Sequence, residues 1–157
     1  MTLLKPSRIL APVILTAILA PALADTPART AVNPPALSNT TQFGYSHANI
    51  VATGSRIVFV AGQVGFSKDG PNDFKAQVDR AFDNLLAALK ASSANAEDVV
   101  KITLLIKDHD PAKLAYLVEK RRAVFGASPP ASTLIPVPTL YADGVLFEID
   151  AVAALKP

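Results

Sequence analysis

Residues 99–106 read Val-Val-Lys-Ile-Thr-Leu-Leu-Ile, and residues 56–61 read Arg-Ile-Val-Phe-Val-Ala. Both are short runs rich in β-branched and apolar residues, which predicts strands. Between them, residues 73–91 carry Phe74, Val78, Ala81, Phe82, Leu85, Leu86 and Leu89 at helical spacing. That periodicity predicts an amphipathic helix, with Asn72 or Asp73 placed to cap it. After the 99–106 strand, Asp110-Pro111 supplies a cap followed by a proline at the first helical position. This second helix runs to about Phe125 and ends at Gly126. Outward from this centre, His47–Thr53 predicts a strand joined to 56–61 by a Gly54-Ser55 turn, hence a hairpin. Residues 62–72 read as a loop, and Ser132–Val137 and Val145–Ala153 as the last strands. The order ββαβαββ makes the fold α+β, with one sheet and two helices. Two helices cover one sheet face, yet the strands at 56–61 and 102–106 are almost continuously apolar, as strands buried on both faces are. A second copy of the chain is the expected cover, so a homo-oligomer is predicted.

The N-terminus has a different character. Lys5 and Arg8 precede an uncharged stretch from Ile9 to Ala24, which ends Ala22-Leu23-Ala24. A basic start, an apolar middle and small residues at the cleavage positions predict a secretory signal peptide over residues 1–24. Pro12, Pro21 and the short apolar length argue against a membrane-spanning helix, which needs about 20 apolar residues. Cleavage after Ala24 leaves 133 of the 157 residues and removes two of the 15 basic residues and none of the 13 acidic ones. The mature chain is then neutral and expected in the periplasm, with no further membrane association. A neutral domain lacks the electrostatic footprint of a general nucleic-acid binder. Residues 25–41, with three prolines, read as a flexible or extended leader. The folded domain is expected over 42–157.

Composition removes much chemistry. With no cysteine there is no disulfide, thiolate metal site or cysteine nucleophile. Two histidines, His47 and His109, make a structural zinc site improbable. Gly44-Tyr45-Ser46-His47-Ala48 lacks the last glycine and the strand-to-helix setting of a hydrolase nucleophile turn. Gly62-Gln63-Val64-Gly65 does not lead into a helix, so a β-bulge or turn explains it better than a phosphate cradle. His109 reads as solvated surface, and Arg121-Arg122 as cations favoured by the end of the second helix. Glu148 is different. Alternation puts Val145, Phe147, Ile149 and Ala151 on one face and Leu146, Glu148, Asp150 and Val152 on the other. It is read either as a solvated acid or as a carboxylate held in an apolar cleft, where its pKa would rise and suit it to handling a proton or a water.

Taken in order, Tyr45-Ser46-His47-Ala48, Val-Phe-Val-Ala-Gly-Gln-Val at 58–64, the helix from Phe74 to Leu89, Asp-Val-Val-Lys-Ile-Thr at 98–103, Pro-Ala-Ser-Thr-Leu at 130–134 and Phe-Glu-Ile-Asp-Ala-Val-Ala at 147–153 resemble the Rid (YjgF/YER057c/UK114) family of reactive-intermediate deaminases. The resemblance covers roughly residues 42–155 and implies a chorismate-mutase-like fold, a homotrimer and ligand clefts between neighbouring subunits. In the active deaminases of the family, imines and enamines are hydrolysed to 2-oxo acids and ammonia, an arginine holding the substrate carboxylate and a glutamate positioning water. Glu148 falls on that glutamate, Tyr45 on the cleft tyrosine, and Gly62 on the glycine whose loop, with Ala61 and Gln63, faces the ligand. Ala61 replaces the usual serine, Leu134 stands where a cysteine is frequent, and Ser132 occupies the arginine position. A serine reproduces neither the charge nor the fork of a guanidinium. No arginine follows Arg122, so on sequence alone this chain resembles the arginine-lacking branches, and Ser132→Arg is expected to restore the missing cation. The predicted function is small-molecule binding in intersubunit clefts, with hydrolysis of an imine or enamine bond by water that Glu148 orients. A noncatalytic ligand-binding or protein-interaction scaffold is the rival, and a ribonuclease a distant third. Neither the motifs nor the resemblance calls for a metal or an organic cofactor.

Overall fold

The computed structural model describes residues 27–156, and the signal-peptide reading of residues 1–24 lies outside them. The chain forms β1 (Arg29–Val32), β2 (Ala48–Val51), β3 (Arg56–Val64), α1 (Phe74–Ala91), β4 (Val99–Lys107), α2 (Pro111–Phe125), β5 (Ala131–Val137) and β6 (Phe147–Leu155). Single turns of 3-10 helix occupy Thr41–Phe43 and Ala96–Asp98. Both α-helices start where their caps predict. The Asp73 carboxylate accepts from the Ala76 amide at 3.1 Å, and that of Asp110 from the Lys113 amide at 2.8 Å, ahead of Pro111.

The main sheet has the order β3-β6-β4-β5. β6 pairs antiparallel with both β3 and β4, while β4 and β5 run parallel across the α2 crossover. Both helices lie on one face. Val78, Ala81, Phe82, Leu85 and Leu89 of α1 and Leu117 and Phe125 of α2 pack there with Ile102, Leu104, Ile106, Phe147 and Ile149. Phe82 stacks on Phe147 with centroids 6.1 Å apart, and Phe74 meets Phe147 edge-on at 6.0 Å. The fold is thus the α+β, chorismate-mutase-like arrangement, and the alternation of β6 is as predicted: Phe147, Ile149 and Ala151 are buried, Glu148, Asp150 and Val152 half-buried on the reverse face.

One expectation is corrected. The hairpin does not form: β2 pairs with β1 in a separate two-stranded sheet, and β3 pairs with β6. Gly54, at φ 85°, does turn the chain, but β2 is mostly exposed, whereas β3 buries Val60 and half-buries Val58 against the helices. Long-range burial outweighs the short connection. The leader, read as flexible or extended, is extended over Arg29–Val32 and is held in place there as a strand paired with β2. Arg29 fixes β1 by donating to Glu97 O (2.6 Å), Asn49 Oδ1 (2.9 Å) and Ser128 O (2.5 Å).

The face away from the helices is open in the single chain and mixed in character, with Lys101, Thr103, Glu148 and Asp150 beside outward apolar side chains. Phe59 is 79% exposed, and Ile57 and Ile135 are also outward.

Candidate functional site

The structure distributes the predicted site residues over two regions. The first is at the β3 edge. Between the pairs Val60↔Ala151 and Gln63↔Ile149, β3 has two residues, Ala61 and Gly62, where β6 has only Asp150. This is a β-bulge, which takes backbone groups out of the ladder and bends the strand. Sequence reading put residues 62–72 in a loop, whereas β3 continues through Val64. Gly62 lies directly against Glu148: a Cβ added there would sit 1.9 Å from Glu148 Oε1. Only a residue without a side chain lets the carboxylate lie over the bulge. Gln63 closes the bulge by donating Nε2–H to Ala61 O at 3.1 Å. Ala61 and Gly62 are exposed and Glu148 half-buried, so the carboxylate stands beside open backbone.

The second region is at the β5 edge. Ser132 and Leu134 pair in register with the core residues Ile102 and Leu104, so their side chains share the helix-covered face. Leu134 packs on the core, in a structural position. Tyr45 follows the Thr41–Phe43 turn and sets its ring edge-on to His47, 6.3 Å between centroids. The Ser46 amide donates to Pro130 O at 2.9 Å, which fixes this segment to the start of β5.

These regions do not meet within one chain. Glu148 pairs in register with Leu105, and Leu105 with Ile135, three residues beyond Ser132. β5 and β6 are two strand spacings apart. At ~4.8 Å per spacing and ~3.3 Å per residue, the two backbones are separated by roughly 14 Å and the side chains leave opposite faces. No ligand of a few heavy atoms touches both.

One residue in the second region was misread. Arg121 is only 4% exposed. It extends beneath Tyr45, with its guanidinium carbon 5.6 Å from the ring centroid, and Nη1 donates to Ser132 Oγ at 3.3 Å. Gly44 makes this passage possible, since a Cβ there would lie 2.8 Å from Arg121 Cβ. Burial pushes the Arg121 pKa down, opposed by the charge interaction with Tyr45. The helix-end reading fits Arg122, which is exposed, but not Arg121. The signal was present: Leu117, Arg121 and Phe125, four apart, form one buried stripe of α2.

The other singled-out residues are peripheral. His109 is exposed, as predicted, and His47 sets Nε2 2.9 Å from Ser38 O. Two surface concavities flank the C-terminal end of α2, one lined by Glu119, Arg122 and Gly126, the other by Arg29, Glu97 and Ser128. Neither includes Glu148 or Ser132. Among the described residues, no group of three His, Asp or Glu is arranged to hold a metal ion, and no helix is long and apolar enough to cross a membrane.

The family model described as endoribonuclease L-PSP matches residues 39–155. Among curated proteins, the RutC family protein UK114 of Drosophila melanogaster is 33% identical over 112 residues, covering 67% of this chain and 77% of that protein. The RutC family protein YjgH of Escherichia coli is 33% identical over 101 residues, covering 63% and 76% respectively. Among solved structures, a protein of unknown function of the Rid family, YyfB from Yersinia pestis, superposes with a TM-score of 0.76 at 33% identity, over 82% of this chain and 99% of that one. With the ordered motifs, the fold and the matched length in agreement, the chain belongs to the Rid (YjgF/YER057c/UK114) family, the group matched as endoribonuclease L-PSP.

Proposed function

We propose that the exported mature chain assembles as a homotrimer and hydrolyses an imine or enamine bond of a small molecule in clefts between its subunits. The observation that carries this reading is the Glu148 carboxylate lying over the Gly62 bulge, beside exposed backbone rather than in an ion pair. The separation of this region from Tyr45 and Ser132 supports a site completed by a neighbouring copy, the β3 edge of one chain facing the β5 edge of the next. Exposed Phe59 and Ile57 on the same reverse face supply apolar surface for that copy to cover.

In this mechanism Glu148 accepts a proton from water as the oxygen attacks the C=N carbon. Delivery of that proton to the nitrogen completes the carbinolamine, and transfer of the remaining hydroxyl proton to the nitrogen, again through Glu148, breaks the C–N bond, so that imine and water give a carbonyl compound and ammonia. The bulge backbone holds the substrate beside the carboxylate. The ribonuclease description attached to the family finds less support in this chain. His47 and His109, its two histidines, sit on different segments, and the mature chain is neutral. Ammonia release from imines generated in situ tests the proposal, with spontaneous hydrolysis subtracted. Release lost in Glu148→Ala is the expected result, and release unaffected by that change overturns the mechanism.

A further inference from the structure

Among the described residues Arg121 is a buried cation without a counter-charge. Its one hydrogen bond among the described residues is the 3.3 Å contact with Ser132 Oγ, and Nε is buried with no partner. No described carboxylate lies within ion-pair reach of it; the ion pairs found are Lys113–Asp110 and Lys120–Asp79. A guanidinium has five N–H donors in a rigid fork, and burying one this poorly satisfied is costly. Proteins normally supply such a group with an acid, and none of the described residues supplies one. Nearby segments add orphaned groups of their own. Thr40 Oγ1 and Ser46 Oγ are also buried without partners, on either side of the Gly44 turn that packs on Arg121. Ser46 forms a bridge with Ala131, next to Ser132.

The cover over the guanidinium reaches the surface. Tyr45 and Ser132 are both half-buried, and they are the residues that cover the guanidinium. We infer that Arg121 is the anion-binding group of the cleft, and that it receives the carboxylate of the ligand. A planar carboxylate matches the fork with two charge-assisted hydrogen bonds, which makes it the anion best suited to displace one long bond to a serine. The cation that the family resemblance expects at position 132 therefore arrives at the same place from α2, and the small serine is what leaves it room. The expectation for Ser132→Arg reverses accordingly: a second guanidinium beside Arg121 repels the first and weakens carboxylate binding.

This inference rests on the cleft reading above and is tested on the full mature protein by calorimetric titration with 2-oxobutanoate and with its neutral amide. The wild type is expected to prefer the carboxylate. Arg121→Met should weaken 2-oxobutanoate binding at least 30-fold, weaken amide binding by a much smaller factor, and leave Tm equal or higher, since an uncompensated charge has gone. Arg121→Lys, which keeps the charge but not the fork, should fall between. Arg121→Met with Ser132→Arg should recover carboxylate binding that Ser132→Arg alone does not show. Equal affinity of Arg121→Met for the carboxylate, loss of both ligands together, or no wild-type preference for the carboxylate overturns the inference. The underlying reading is judged separately, by the mass of the assembly in light scattering and by Glu148-dependent hydrolysis of an uncharged imine.

Discussion

Gly62 and Gly65 pose the same steric problem with opposite consequences. A Cβ on Gly62 would lie 1.9 Å from Glu148 Oε1, and a Cβ on Gly65 would lie 1.9 Å from Gln77 O. Neither glycine has a positive φ, so alanine meets no backbone strain at either site. At position 62 the obstacle is the end of a flexible side chain. Pushing Glu148 off its rotamer costs about 0.5–1.5 kcal/mol. Reduced freedom of the unfolded chain returns about 0.4–1 kcal/mol. The net change in stability is close to zero. At position 65 the obstacle is the backbone of α1, held in place by the buried Gln77 side chain, which donates to Asn72 O (3.0 Å) and Gly144 O (2.8 Å) and accepts from the Leu146 amide (2.9 Å). Overpacking against such a fixed element costs about 1–3 kcal/mol or more. At about 4 °C per kcal/mol for a domain of this size, Gly65→Ala should lower Tm by about 4–12 °C, while Gly62→Ala shifts it by no more than about 4 °C. Imine hydrolysis should show the reverse ranking. Gly62→Ala displaces the proton acceptor and should lose about 10²-fold or more, whereas the folded fraction of Gly65→Ala keeps its rate. Combining Gly62→Ala with Glu148→Ala should cost no more than either alone, because both remove the same group. Scanning calorimetry and ammonia release on the wild type and the four variants provide the check. A Gly62→Ala protein that hydrolyses imines within twofold of wild type refutes the claim that the bulge exists to seat the carboxylate.

Burial, the hydrogen bond to Asp79 (2.8 Å to each carboxylate oxygen) and the negative charge of Asp79 push the Tyr116 pKa up to about 12. Stability from protonated Tyr116 is fully present below its ordinary pKa of 10 and lost as pH rises towards 12, so Tm should fall over that window, and by less in Tyr116→Phe. For Asp79, burial opposes ionisation, but hydrogen bonds from Lys120 and Tyr116 and the charges of Lys120 and Arg80 hold its pKa below the usual value. Its contribution should therefore be lost on the acid side, below about pH 4, an effect absent in Asp79→Asn. Phe59→Asp places a charge among the outward apolar side chains and should shift the light-scattering mass from three chains to one at micromolar concentration; an unchanged trimer would contradict the use of that face. The periplasmic fraction of a producing cell should yield a chain beginning at Asp25, and an intact Met1 form in the membrane fraction would overturn the export reading.

Much of the architecture can be read from local chemistry. The apolar spacing of 74–89, the Asp73 and Asp110 caps, Pro111 and Gly126 mark two helices because each acts on its own turn of chain. The alternation around Glu148 identifies its face for the same reason. The pairing of strands was less accessible. β1 is four residues long and mostly half-buried, with no alternating burial pattern to advertise it, and the nearness of β2 to β3 in sequence suggested a hairpin that burial against the helices prevents. The candidate site divided in the same way. Glu148 and Gly62 were found through resemblance and pattern, and their contact is a consequence of the bulge. Arg121 was lost because a basic residue near a helix end already had a sufficient explanation. Its place on the Leu117–Arg121–Phe125 stripe contradicts that explanation, and only the packed structure shows Ser132 at the end of its side chain.

The central claim is that one cleft draws Glu148 from one copy and Arg121 from its neighbour. Subunit complementation tests it most directly. Glu148→Ala and Arg121→Met, each inactive on a carboxylate-bearing imine, are unfolded together in equal amounts and refolded. If the site spans the interface, one cleft in four pairs an intact Glu148 with an intact Arg121, and the mixture should show about a quarter of the wild-type rate. If both residues serve a site within one chain, no mixture contains an intact site, and a rate that stays at the level of the separate variants would contradict the account.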